Sequence, residues 1–149
     1  METGSSCEIG ARPGVVVSGS RVLRCDGSFR WEGVEAVAYK EAAKHHRGVT
    51  RMQLAGGQGE ATAFHVRYFE IAPGGFSSFE HHAHEHVVIV LRGRGQVQLG
   101  DSAHDIGFGD VVYVASHEPY RFRNPSSEPF GFVCIVDAQR DQPKVVSPP

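Results

Sequence analysis

The residues Glu80-His81-His82-Ala83-His84-Glu85-His86 place four of the chain's nine histidines and two carboxylates within seven positions. Imidazole nitrogen and carboxylate oxygen are the donors that divalent transition ions take. The cluster is followed at once by the apolar run Val87-Val88-Ile89-Val90-Leu91. A solvated polar turn is the competing reading, but so dense a group against an apolar strand points to a metal. On a strand, residues two apart share a face with Cα atoms roughly 6.6 Å apart, so their side chains can converge on one ion. His82 with His84, or Glu80 with His82, meets that condition. A straight strand from Glu80 to His86 would span roughly 20 Å, so if both ends bind one ion the chain must bend at Ala83-His84-Glu85. Donors of this kind suit one divalent transition metal among Mn, Fe, Zn, Ni and Co, and the sequence does not choose among these.

The surrounding segments read as short strands. Phe64–Ala72 alternates in strand fashion and is expected to stop at Pro73-Gly74-Gly75. Val87–Leu91, the Gly93/Gly95 turn and Gln96–Leu99 read as a hairpin. Next come a turn at Gly100-Asp101, a polar bend at His104-Asp105 and a turn at 107–110. Val111–Ala115, Tyr120–Arg123 and Phe130–Val136 follow as strands. Towards the N-terminus, Val15–Val17, Ser20–Leu23, 31–40 and Val49–Leu54 are further strand candidates, and Ala55–Gly59 is a loop. His45-His46-Arg47 reads as a solvated turn, and His65 as a structural or surface residue. Seven or more short strands at regular spacing imply an all-β antiparallel sandwich or small barrel.

A chain of 149 residues with 40% hydrophobic and 21% charged residues fits a single domain. Residues 1–14 and 138–149 are polar and rich in Gly, Ser or Pro, so they read as flexible tails around a domain at 15–137. Fifteen Lys and Arg against 17 Asp and Glu, with no basic stripe, argue against nucleic acid. No apolar stretch is long enough for a membrane span and no secretory signal opens the chain, so a cytoplasmic location is expected. Cys7, Cys25 and Cys134 are widely spaced and odd in number, so they read as reduced thiols, with Cys134 a small buried hydrophobe.

Pro73-Gly74-Gly75, the His/Glu cluster, Val87–Gly95, Gly109-Asp110-Val111-Val112-Tyr113-Val114 and Phe122-Arg123-Asn124 together resemble the two motifs of a single-domain cupin. The resemblance covers roughly residues 60–137. It implies a jelly-roll β-barrel with extra N-terminal strands, one metal in its mouth, usually held by three histidines and a glutamate, and often a homodimer. Carried over position by position, the first motif falls on Glu80, His82 and His86, with Glu and His exchanged at its ends. His84 falls in the connecting loop as a spare ligand, a supporting group or a substrate contact, and His81 faces away. The position of the family's last histidine is Tyr120, preceded by Ala115-Ser116-His117 in place of a Pro-x-Gly turn. Three roles follow for Tyr120: a phenolate ligand, a neutral hydrogen-bonding group, or a bystander while His117 or His84 ligates. The neutral role is favoured.

Alternation from His86 puts Val88 and Val90 on one inner face, and Tyr120 shares a face with Phe122, so the metal would border a largely apolar pocket. The expected function is a metal-dependent enzyme, an oxygenase, isomerase or lyase, acting on a small organic substrate. Glu85 and His84 are candidate proton-transfer groups and Tyr120 a hydrogen-bond donor. The alternative is a non-enzymatic binding or sensing protein with a structural metal.

Overall fold

A computed structural model describes residues 19–39 and 45–149, so the expectations for 1–14 and Val15–Val17 lie outside the described residues. Eleven strands follow in order: β1 (Val37–Ala38), β2 (Arg47–Ala55), β3 (Phe64–Phe76), β4 (Glu80–His81), β5 (His86–Arg92), β6 (Arg94–Leu99), β7 (Ser102–Gly107), β8 (Val111–Val114), β9 (Tyr120–Arg123), β10 (Phe130–Asp137) and β11 (Lys144–Val145). The all-β reading holds, as every pairing between strands is antiparallel. No helix among the described residues is long and apolar enough to cross a membrane.

The strands curl into two walls. One runs β1-β2-β3-β10-β5-β8, and the other runs β11-β4-β9-β6-β7. The walls meet where Phe76, at the end of β3, pairs with Arg123 of β9. Between them lie Ile71, Val88, Val90, Val97, Phe122, Phe130 and Phe132, each at most 5% exposed. Burying a side chain of this size contributes about 1.5–3 kcal/mol, so this layer is what holds the curl closed.

Four expectations from the sequence are corrected. Strand β3 does not stop at Pro73. Ile71 faces Val49 on β2 and Phe76 faces Arg47, so the Pro-Gly-Gly stretch lies in a shifted part of the ladder. There the Gly74 N–H donates to the Asn124 carbonyl (2.8 Å) and the Asn124 N–H to Gly75 (3.0 Å), which keeps the strand going while it bends towards the second wall. The segments Val87–Leu91 and Gln96–Leu99 form no hairpin: β5 pairs with β10 and β8, whereas β6 pairs with β7 and β9. Gly93 turns the corner between walls at φ +66°, where a Cβ would lie 2.2 Å from the Pro129 carbonyl oxygen, so only glycine passes. His104 and Asp105 belong to β7 and pair with Val97 and Gln96. Ser20–Leu23 forms no strand, and of the described residues 31–39 only Val37–Ala38 does.

Residues 138–149, which composition reads as a tail, pack onto the second wall. Lys144 and Val145 pair with His81 and Glu80. Asp141 reaches the turn after β4.

Candidate metal centre

The two halves of the histidine cluster lie on successive strands. Glu80 and His81 form β4, His86 opens β5, and the bend anticipated between them is present. The turn before β9 holds it from outside: the His117 N–H donates to the His82 carbonyl (2.8 Å) and the Ser116 hydroxyl to the Ala83 carbonyl (2.5 Å). From the C-terminal segment, Asp141 accepts the N–H groups of Ala83 (2.8 Å) and His84 (3.2 Å). These donors, with that of the His84 ring, hold the Asp141 carboxyl well below the usual carboxylate range.

The bend brings donor atoms of His82, His84 and His86 within 4.8 Å of one another. Each ring has its Nδ1 occupied. His82 Nδ1 lies 2.8 Å from the His84 carbonyl oxygen, which can only accept, so the proton sits on Nδ1. His84 Nδ1 lies 2.8 Å from the Asp141 carboxylate. His86 Nδ1 lies 3.0 Å from Cys134 Sγ. A proton on each Nδ1 leaves three Nε2 lone pairs for an ion, the second-side tethering by which metal-binding histidines are fixed in tautomer and direction. Burial holds His82 and His86 below the usual imidazole range, His86 furthest, so both are neutral donors at pH 7.

The innermost atoms converge tightly. His82 Nε2 and His86 Nε2 are 2.6 Å apart, and Tyr120 Oη is 3.0 Å from the first and 3.2 Å from the second. Two bare nitrogen lone pairs repel at that separation unless a proton or cation lies between them. An ion with bonds near 2.0–2.1 Å sets donor edges of roughly 2.9–3.4 Å, so the residues present fit a divalent metal after a shift of a few tenths of an ångström. The phenol of Tyr120 is buried, and burial with the nearby Glu80 charge pushes it well above its usual range.

Other predicted site residues lie elsewhere. Glu80 is buried and borders the same cavity, but its carboxylate accepts the Ser78 hydroxyl (2.6 Å) and is not among the clustered donors. His117 was expected in the pocket and is instead exposed on the turn before β9, contributing its main chain only. Glu85 is exposed and hydrogen-bonds to Tyr113, away from the cavity, so a proton-transfer role there has no geometry behind it. His81 is absent from the cavity lining. His65 bonds to Arg140 (3.0 Å), a structural contact.

Behind these groups opens a cavity of about 480 Å³, within the range of small-molecule sites. Its walls carry Val49, Phe69, Ile71, Phe122 and Phe132 together with residues that sequence reasoning passed over: His46, Arg51, Arg67, Cys134, Arg140 and Asp141. His46, expected in a solvated turn, is only 8% exposed and packs edge-on against Tyr39. Cys134 is buried as expected, yet its sulfur also meets the His86 ring and accepts from Arg67 Nη2 at 3.7 Å. A signal was present for Arg67: its place in the alternation of β3 puts a guanidinium on the side that carries Phe69 and Ile71.

Residues 67–136 match the family described as Cupin domain. A curated relative from Rhodospirillum rubrum, 1-methylthio-D-xylulose 5-phosphate methylsulfurylase, is 40% identical over 118 residues, which cover 78% of this chain and 74% of the relative. The chain belongs to the cupin family. Among solved structures, a cupin-2 domain protein from the same organism has a TM-score of 0.74 at 35% identity, over 91% of this chain and 85% of its own. A cupin 2 conserved barrel domain protein from Rhodopseudomonas palustris reaches 0.79 at 34% identity, over 85% and 87%.

Proposed function

We propose that this cupin is a metal-dependent enzyme that acts on a small carbonyl- or hydroxyl-bearing substrate within the barrel. The observation that carries the reading is the convergence of His82 Nε2, His86 Nε2 and Tyr120 Oη at 2.6–3.2 Å on the wall of a cavity. His82 and His86 would hold one divalent transition ion (Mn, Fe, Zn, Ni or Co), with His84 as a third donor. Glu80 borders the site, its carboxylate accepting the Ser78 hydroxyl. A divalent ion held there supplies Lewis acidity to an oxygen of the substrate. Tyr120, kept neutral by burial, donates a hydrogen bond to that oxygen, and the apolar wall of Phe122, Phe132 and Ile71 excludes water. The relative named for a methylthio pentulose phosphate supports an enzyme over a purely structural metal site. A homodimer belongs to the same proposal, supported by exposed Val111 and Tyr113 on β8, the end strand of its wall.

The test is elemental analysis of tag-free protein, followed by turnover of 1-methylthio-D-xylulose 5-phosphate before and after chelation. One bound transition ion per chain and turnover abolished by chelation are expected. Protein that holds no metal when refolded with each of the five ions overturns the metal assignment. Full metal with turnover unaffected by its removal overturns the catalytic one.

A further inference from the structure

Residues 138–143 run from one wall to the other along the edge of the cavity. Strand β10 ends at Asp137 on the first wall, and β11 pairs with β4 on the second. Of the six residues between, Ala138, Arg140, Asp141, Gln142 and Pro143 line the cavity. Arg140, Asp141 and Gln142 are exposed as well, so this strap stands between the cavity and solvent. It passes over the histidines: Asp141 accepts the N–H groups of Ala83 and His84 and lies 2.8 Å from His84 Nδ1. Beneath it the His84 side chain is only 7% exposed, its ring stacked on that of His82 at 3.6 Å between centres.

Nothing in the strap is buried. From Asp137 to Pro149 every residue is exposed except Ala138, Pro143 and Val146, which are half-buried. The inner wall is fixed differently, by packed side chains such as Ile71, Phe122 and Phe132. Polar contacts hold the strap in two groups. At the first wall, the Ala138 N–H donates to the Ala63 carbonyl (3.0 Å) and the Arg140 guanidinium to the Asp137 carbonyl (2.7 Å). At the second, Asp141 holds the 82–84 turn and the Val146 N–H donates to the Phe79 carbonyl (2.8 Å). The first group ties the strap to the end of the strand it grows from and can serve as a hinge. The second ties it to a different wall and must part for the cavity to open. Lifting the strap exchanges hydrogen bonds for water and uncovers no core side chain of its own, the condition under which a segment opens far below the cost of global unfolding. Lids over ligand sites are drawn from such segments.

We infer that residues 138–149 are a lid on the cavity, hinged at the end of β10 and latched by Asp141. Opening gives a small ligand its way to His82, His86 and Tyr120, and closure returns the Asp141 carboxylate to the His84 ring. Entry is thereby coupled to the direction of one histidine of the candidate metal centre, since His84 loses its tether whenever the lid lifts. The inference rests on reading the cavity as a ligand site.

The test uses the Cys134 thiol as a reporter, because it lines the cavity and is only 3% exposed. Full-length, chelator-treated wild type, Asp141→Ala and Val146→Pro are exposed to N-ethylmaleimide. Modification of each cysteine is followed by peptide mass spectrometry, with exposed Cys25 as the internal reference. Asp141→Ala removes the latch, and Val146→Pro removes the N–H bonded to Phe79 without touching a histidine. Cys134 is expected to react at least about 100-fold more slowly than Cys25 in the wild type, and about tenfold or more faster in either variant, with amide exchange in β5 and β10 unchanged. A wild-type Cys134 that reacts as fast as Cys25 overturns the lid, and so does a wild-type rate in both variants. Acceleration in Asp141→Ala alone overturns it too, since the effect then passes through the histidines. Acceleration in Val146→Pro alone overturns the role of Asp141 as latch. Faster exchange throughout β5 and β10 shows a loosened barrel and likewise sinks the lid. Labelling needs neither metal nor turnover, so failure of the proposed activity leaves this result standing on its own.

Discussion

The two ends of the cavity are built on opposite principles. At the histidine end every ring is tied on its far side, His82 to a carbonyl, His84 to the Asp141 carboxylate and His86 to the Cys134 sulfur. At the arginine end Arg67 is buried with a bare Nε and no carboxylate. The first end is tethered within the chain and presents donors already aimed; the second is left incomplete and has its missing charge to gain from a ligand. Tethered second sides make a binding site stiff, whereas an unmatched buried ion makes one that costs stability until it is filled.

The difference is broken most sharply by removing a donor. His82→Ala or His86→Ala is expected to weaken metal binding by a factor on the order of 10³, leaving purified protein nearly metal-free by elemental analysis. Retention of full metal in both variants would show that the cluster is not the metal centre. A smaller effect tests the tether rather than the donor. Asp141→Asn keeps the turn's acceptor oxygen but removes the carboxylate from His84, and a loss of roughly 10–100-fold in metal affinity by competitive chelation is expected. An unchanged affinity would move His84 out of the metal's reach.

At the other end the sign reverses. Arg67→Met replaces an unpaired buried charge by an apolar side chain of similar length and is expected to stabilise the ligand-free protein by about 1–3 kcal/mol in urea unfolding. A destabilised variant would show that Arg67 is structurally satisfied after all. The smallest effect on stability belongs to Tyr120→Phe. Its ring packs against Phe122 and the His82 and His86 rings, so stability should change by no more than about 1 kcal/mol and the metal should stay. Turnover should nonetheless fall by about 10–100-fold if the hydroxyl donates to the reacting oxygen.

Much of this was legible from one dimension. The strand alternation that makes Val88, Val90, Tyr120 and Phe122 inward-facing is a property of the extended chain, and the cluster from Glu80 to His86 announced both its chemistry and its need for a bend. Pairing was less legible. Val87–Leu91 and Gln96–Leu99 look like hairpin partners because they flank a glycine turn, yet hydrogen bonding is settled by which strands share a wall, and Gly93 sends them to different ones. Proline at position 73 misled for a related reason: a strand that changes partners midway tolerates a break in its first ladder.

The sequence by itself determined the donor types, their spacing and the strand periodicity, because these depend on covalent order and on the two-residue repeat of an extended backbone. Only the tertiary structure decided which histidines share a point, that His117 lies outside it, and that His46, Arg67, Cys134 and Asp141 border the same cavity. Those residues lie far from the cluster in sequence or, like Asp141, in a stretch that composition reads as a tail, and only the folding of two walls into one barrel supplies the distances between them.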